Sequence, residues 1–526
     1  MNSNRSTRQS NPCAHGIDRR TLVKGAGASA IALGLGGAAA RLGYAQAALP
    51  SPAADPMQIV LPETGVTLPS DDVTFSWVDS GDSKALFFRE YFDTFTQAHG
   101  NITFDYLGLP WTEIQQIVPL GVRNGNAPDV FQVPNTIPVA EAVREGWVRP
   151  IDDLIPNYEA WKAGFPPSSF IEGVNVFNGR VYTFPRSTSK RGVHLTFFNR
   201  SYMEEAGYNP DEAPLTWDSF RDAARKITET GAGEYYGVIL AGQQVGRWQE
   251  YVRNLGRLTG SAAGPDDIDH LTGEYAYTSD GYLAAIELLL ALRDDGVVFP
   301  GSMSLNDPQA RAQTPQGVAG MIMEGEWAMP IWIRENPDFD FGVTGLPIQG
   351  EQFVPVTYLN TATNHQWVYA ESRYPEIAGE IFYYLGSEAG QLAFVSITGG
   401  SDPSIYASAN QNAPLDDRMR QAYVIFDERM RLGPDVRIRK PETSQVFLNM
   451  VQPTPNFGET VQGIYSGQLD DPRQAMQDLK DRSERALDEA IAAAQAGGAD
   501  VSRDDYVFPN WDPAVDYTEA DYDSLG

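Results

Sequence analysis

Cysteine is almost absent: the 526 residues hold one, Cys13. A lone thiol this close to the start makes no intrachain disulfide. It leaves the rest of the chain without a thiolate nucleophile or a Cys-based metal site. Lysine is scarce as well, at 7 of the 39 basic residues, against 69 acidic ones, for a net charge of -30. That balance excludes a nucleic-acid or anionic-membrane binder, because both need basic surface to neutralise phosphates. The five histidines, His15, His99, His194, His270 and His365, show no metal-ligand spacing. No G-x-S-x-G, H-E-x-x-H or Walker pattern is found, so the sequence offers neither a catalytic signature nor a cofactor or metal site. Long apolar runs are missing too. The best window beyond the N-terminal region, Tyr282 to Leu292, is eleven residues long and contains Glu287, too short to cross a bilayer.

Aromatic residues, in contrast, are abundant: 24 Tyr, 24 Phe and 10 Trp within 42% hydrophobic content. A chain this long and this apolar folds into more than one domain despite its acidity. Asp18-Arg19-Arg20-Thr21-Leu22-Val23-Lys24 precedes a Gly/Ala-rich apolar stretch, and Ala45-Gln46-Ala47 follows with the small residues of a cleavage site. A basic segment, a short apolar segment and an A-x-A site make residues 1–47 an export signal. The paired arginines give it the twin-arginine form, with a periplasmic or extracellular destination. Residues 48–71, rich in Pro, Ala and Ser, read as a linker.

Beyond the linker the patterning is α/β. Val73 to Val78 alternates as a strand and runs into the polar loop Asp79-Ser80-Gly81-Asp82-Ser83. A helix follows with Phe88, Phe92 and Phe95 on one face. Ile102 to Leu107 reads as a second strand, a helical stretch reaches Arg123, and Ala127 to Gln132 opens a third strand. This β-α-β-α-β order predicts an open parallel sheet, with ligands beyond the carboxyl ends of its strands. Thr216 caps a helix carrying Phe220, Ala224 and Ile227, Gly317 to Met323 is a buried strand, and Asp471-Pro472 starts a long helix stopped by Gly497-Gly498. Residues 496–526 form an acidic, aromatic C-terminal tail.

Six segments in order resemble the periplasmic solute-binding proteins of carbohydrate ABC importers, the group that includes maltose-binding protein. They are Val73-Thr74-Phe75-Ser76-Trp77 with its polar loop and Ala127-Pro128-Asp129-Val130-Phe131 with Glu145 to Leu154 behind it. Gly179 to Pro185 leads to Leu195 to Arg200, and Pro214 to Phe220 follows. The last two are Gly317 to Met321 ending at Glu326-Trp327-Ala328, and Tyr374 to Ser387 before Thr398-Gly399-Gly400. The resemblance covers about residues 72–495. It implies a type II periplasmic-binding-protein fold of two α/β lobes. Lobe 1 takes 72–186 plus 357–405, lobe 2 takes 193–345 plus 412–495, and the ligand lies in the cleft between them. It further implies a non-enzymatic monomer that captures a sugar, closes about a hinge and docks on an ABC permease. A polyamine, a polyol or ferric ion is the alternative solute, and an exported polysaccharide-processing enzyme the alternative class.

A sugar needs aromatic platforms for its ring face and polar side chains for its hydroxyls. Trp77, at the end of the first strand, is the foremost stacking candidate, although its period with Val73 and Phe75 equally fits a core position. Asp79 and Ser80 in the following loop are either hydroxyl partners or helix caps. By the resemblance, Glu326 and Trp327 face the ligand, Gln244 and Trp248 lie in a contact region at a helix start, Asn135 supplies a polar contact, and Phe447 aligns with an aromatic platform. The loop Arg186-Ser187-Thr188-Ser189-Lys190-Arg191 carries three cations against a strongly negative background. Arg186, Ser187, Lys190 and Arg191 therefore suggest either an acidic sugar held by guanidinium groups, or a loop paired with nearby acids.

Overall fold

The computed structural model describes residues 48–264, 266–362 and 364–525. The proposed export signal and Cys13 lie outside the described residues. Two separate four-stranded sheets organise the chain. The first has the order β11-β3-β1-β2, built from β1 (Val73–Asp79), β2 (Ile102–Gly108), β3 (Val130–Phe131) and β11 (Trp367–Val368). β1 pairs in parallel with β2 and β3, as the β-α-β order predicts, and β11 returns antiparallel along β3. The second has the order β7-β8-β6-β9, from β6 (Leu195–Asn199), β7 (Tyr236–Ile239), β8 (Ala319–Glu324) and β9 (Phe341–Gly345). β7 and β8 are parallel, while β6 runs antiparallel to β8 and β9. Between β3 and β6 lies a small antiparallel ladder of β4 (Val176–Phe177) and β5 (Arg180–Val181). A further parallel pair joins β10 (Val356–Tyr358) to β12 (Met430–Leu432).

Both sheets are covered on both faces, which explains why β8 and β9 are buried throughout instead of alternating. On one face of the first sheet, Phe75 and Trp77 pack with Phe87, Phe88, Phe92 and Phe95 of helix Lys84–Ala98 and with Phe382 and Phe394. The other face gathers Val78, Ile114, Val118, Phe131 and Trp367. The second sheet sends Phe198, Val238 and Met321 to one core and Leu195, Phe197 and Ile322 to another. Helix Glu388–Ile397 contributes to both halves: Phe394 joins the first sheet's core, and Leu392 and Val395 join the second's. Thr216 caps helix Trp217–Gly231 with a reciprocal capping box. The long helix spans Pro472–Ala496 and buries Met476, Leu479, Leu487, Ala490 and Ile491.

Two segments read as peripheral are packed. Residues 48–71 contain no helix or strand, yet Ile59 joins the first core and the buried Thr64 hydroxyl donates to Glu380. Tyr383 donates to the Ala48 carbonyl at 2.9 Å. This is a docked strap rather than a free linker. The C-terminal segment likewise buries Phe508, Trp511 and Tyr517 against the second lobe. Arg439 donates to the carbonyls of Asp504, Asp505 and Val507, and the Tyr517 amide donates to Leu432 O at 2.8 Å. Its Tyr506, Phe508, Trp511 and Tyr517 are core, while Asp504, Asp512 and Asp516 face solvent.

Candidate functional site

The site begins where β1 ends. Gly81 and Asp82 both adopt left-handed backbone, with φ of +65° and +56°, and turn the chain sharply into helix Lys84–Ala98. The turn leans on β2: a Cβ at Gly108 would lie 2.8 Å from Gly81 Cα, so the two glycines permit a backbone contact no side chain would allow. The fully buried Asp79 accepts from the Gly81 amide at 2.7 Å and the Tyr106 hydroxyl at 2.9 Å through Oδ1. Its Oδ2 and the buried Ser83 hydroxyl have no hydrogen-bond partner. Burial raises the Asp79 carboxyl above its ordinary range, although Lys84 and these hydrogen bonds oppose the rise.

Against this loop stands Arg186, the first residue past Pro185. It is 1% exposed, its guanidinium lies 4.0 Å from the Phe394 ring, and none of its three side-chain nitrogens has a hydrogen-bond partner. The nearest carboxylate is Asp402, 3.7 Å away. Burial lowers the Arg186 pKa, with Asp402 and Asp79 opposing it. His365 is also buried. Burial together with the neighbouring Arg186 lowers it to about 3, so it is neutral, and its Nδ1 is unpartnered. Both side-chain amide atoms of buried Gln366 are unpartnered as well. Buried polar atoms are almost always paired, so this concentration makes the spot the candidate site for a polar guest.

Asp402 is the electrostatic centre. Burial alone would raise its carboxyl, but Arg191, Lys84 and Arg186 together hold it low. Arg191 grips Asp402 with one nitrogen and Glu326 with another, the latter at 2.7 Å. Burial pushes Glu326 up to about 7 in spite of Arg191. On the second lobe, Arg247 reaches Asp307 at 2.6 Å and Glu324 at 2.8 Å. Burial raises Glu324, whereas Arg247 and Arg311 outweigh burial at Asp307 and hold it low. Trp327 lies half-buried between these groups, with Arg191 and Arg247 centred 5.4 and 5.5 Å from its ring. The arrangement offers charged and hydrogen-bonding side chains to a polar solute. Among the described residues no group of His, Cys, Asp and Glu is placed to hold a metal.

The family model for bacterial extracellular solute-binding proteins matches residues 81–392, more than half of the chain. The chain belongs to that family. A curated binding protein of Brucella abortus is 25% identical over 262 residues, covering 50% of this chain and 59% of the relative. The chain thus spans under two thirds of that relative's length. Among solved structures, an ABC transporter solute-binding protein of Thermotoga lettingae bound with α-D-tagatose is 20% identical. It covers 79% of this chain and 99% of its own, with a TM-score of 0.59. The maltose/maltodextrin-binding domain of Bdellovibrio bacteriovorus bound to maltotriose is 17% identical, covering 79% and 100%, with a TM-score of 0.58. These likenesses establish the two-lobed fold, and membership in a family of solute-binding proteins agrees with binding without catalysis. Among the described residues no helix is long and apolar enough to cross a membrane.

Several sequence-based site residues of this solute-binding protein lie elsewhere than expected. Trp77 is core, 0% exposed, with ring centroids of Phe88, Phe92 and Phe382 within 5.0–6.0 Å, because the alternation that ends β1 points it inward. Trp248 is core too: its Nε1 donates to Gly242 O and its ring packs on Tyr465 at 4.4 Å. Neither has a face for a sugar. Asn135 is exposed and accepts from Gln115. Phe447 packs on the second lobe's core, with Arg437 5.3 Å from its ring. Lys190 pairs with Asp427, and Arg191 with Asp402 and Glu326, so within the basic loop these two cations are engaged by acids. Ser187 is buried and bridges to Ser404. Ser80 donates its amide to Gln132 Oε1 at 2.7 Å, and Gln244 Oε1 accepts from the Asp307 amide at 3.2 Å.

Asp79, Arg186, Arg191, Glu326 and Trp327 do come together. Sequence reasoning missed Ser83, Lys84, His365, Gln366 and Asp402 around Arg186, and Arg247, Asp307, Arg311 and Glu324 beyond Trp327. Lys84 carried one usable signal, since a lysine in the first turn of a helix is electrostatically disfavoured unless an acid meets it. The Asp307/Arg311 spacing of four on a helix was another.

Proposed function

We propose that this solute-binding protein captures a small polyhydroxylated solute, a sugar or polyol, between its lobes and delivers it to an ABC permease. The reading includes export through the Arg19-Arg20 leader and action as a monomer. What carries it is the set of buried polar atoms without partners beyond the carboxyl ends of β1 and β3: all three Arg186 side-chain nitrogens, Asp79 Oδ2, Ser83 Oγ, His365 Nδ1 and the Gln366 amide. Donors and acceptors are mixed there, and hydroxyl groups answer both. The tagatose and maltotriose held by the structural neighbours support the same solute class. An acidic substituent would meet Arg186 alone, because Lys190 and Arg191 are engaged.

A thermal-shift screen of hexoses, hexitols, hexuronates, maltodextrins, polyamines and ferric citrate tests the reading. A shift with at least one sugar, sugar acid or polyol is expected, and it is abolished by Arg186→Gln. Stabilisation by polyamine or iron alone would overturn the solute class. An undiminished shift in Arg186→Gln would overturn the site.

A further inference from the structure

Glu380 is a buried carboxyl of the first lobe that stands apart from the candidate site. It lies on helix Pro375–Leu385 and is 6% exposed, and among the described residues no lysine, arginine or histidine pairs with it. Its hydrogen bond comes from the strap: the Thr64 hydroxyl donates to Glu380 Oε2 and itself accepts from the Val66 amide at 3.2 Å. The titratable groups that face Glu380 are phenols, Tyr91 of helix Lys84–Ala98 and Tyr383 of its own helix, with Tyr384 packed on Tyr91 at 5.4 Å. Burial raises all three above their ordinary value, so they are neutral. The neighbouring acid of the strap, Glu63, is exposed. None of these groups offers the Glu380 carboxylate a compensating charge.

The strap over Glu380 has no helix or strand of its own. Ile59 enters the first core, and Leu61 and Leu68 pack against it. Tyr383 donates to the Ala48 carbonyl, and the Asn101 side-chain amide donates to the carbonyls of Pro69 and Asp71 at 2.8 and 2.7 Å. Among these holds only Glu380 ionises within the ordinary pH range.

We infer that the strap is a pH-sensitive latch on the first lobe: residues 55–68 stay docked while Glu380 carries a proton and let go as it ionises. An ionised glutamate under the strap is desolvated without a counter-charge, and undocking readmits water to it. Burial lifts the docked carboxyl to about 7 from the ordinary 4.5, with the Thr64 hydrogen bond opposing the rise. Between those values the docked form holds a proton that the undocked form has released. Docking is therefore strongest below about pH 4.5, weakens as pH rises, and levels off above about pH 7.

Native-state proteolysis of the full chain with thermolysin tests the latch. The enzyme cuts ahead of large apolar residues, and the bond before the buried Ile59 is open to it only when the strap is undocked. Cleavage at Gln58–Ile59, located by mass spectrometry, is divided by the rate for a free peptide of residues 55–68 at the same pH. From about pH 5.5 to about pH 7.5 the wild-type ratio rises at least tenfold. In Glu380→Gln, which keeps the shape and the partner for Thr64 without ionising, the ratio stays constant. An equal wild-type ratio at the two pH values overturns the latch whether or not the variant folds, and so does an equal rise in Glu380→Gln. Cleavage within β8 that keeps pace with cleavage at Ile59 also overturns it, because the whole fold then loosens rather than the strap.

Discussion

Replacing Trp77 separates a core residue from a ligand platform. The indole is 0% exposed and contacts Phe88, Phe92 and Phe382, so Trp77→Ala removes a large buried ring from the centre of the first lobe. A buried aromatic of roughly 150–250 Å² at about 25 cal/mol per Å² corresponds to about 4–6 kcal/mol. That overlaps the roughly 3–5 kcal/mol usual for Trp→Ala in a core. Trp77→Phe keeps most of the ring, and because Nε1 has no hydrogen-bond partner, only volume is lost. About 1–2 kcal/mol is expected for that change. Urea unfolding followed by circular dichroism reads both variants, with calorimetry on the folded protein as the second measurement. The expected pattern is a large fall in midpoint for Trp77→Ala, a small one for Trp77→Phe, and unchanged solute affinity in Trp77→Phe. A Trp77→Ala protein as stable as wild type that no longer binds would refute the core assignment and restore Trp77 to the cleft.

Two further outcomes are expected. Burial raises both Glu326 and Glu380 to about 7 in the fold, well above an unfolded glutamate. The native state therefore holds protons that the unfolded chain has released, and these groups make stability fall as pH rises from about 4.5 to 7, by up to about 3 kcal/mol for Glu326. Glu326→Gln should flatten that part of the denaturation-midpoint profile, and an unaltered slope would count against it. Lys190→Ala removes a pair whose Asp427 partner is largely exposed, so stability should change by under about 1 kcal/mol, with solute binding intact, in the same two assays.

The fold was legible because its signals are local. Val73 to Val78 announced β1 by alternation, Thr216 announced its helix by capping, and Phe88, Phe92 and Phe95 lined the buried face that the structure shows. The site was legible only where a residue sits at a recognisable chain position: Asp79 at a strand end, Arg186 at the crossover, Glu326 and Trp327 after β8. Aromatic identity misled, because Trp77 and Trp248 are the size a core needs as much as a platform. The strap and the C-terminal segment misled for a different reason. Their backbones lack periodicity, and composition alone does not reveal that Thr64 reaches Glu380 or that Phe508 and Trp511 have a core to enter.

The basic loop shows most clearly what a sequence leaves open. Arg186, Lys190 and Arg191 look equivalent on the page, three cations within six residues. Their fates diverge through partners 211 to 237 positions away in the chain: Arg191 is taken by Asp402 and Lys190 by Asp427. Arg186 is left with a carboxylate only at 3.7 Å and no hydrogen bond. A buried guanidinium without acceptors is costly, and a bound solute that supplies acceptors would offset that cost. On the proposed reading, Arg186, which has no hydrogen bond in the fold, is the residue whose pairing gains most from solute binding.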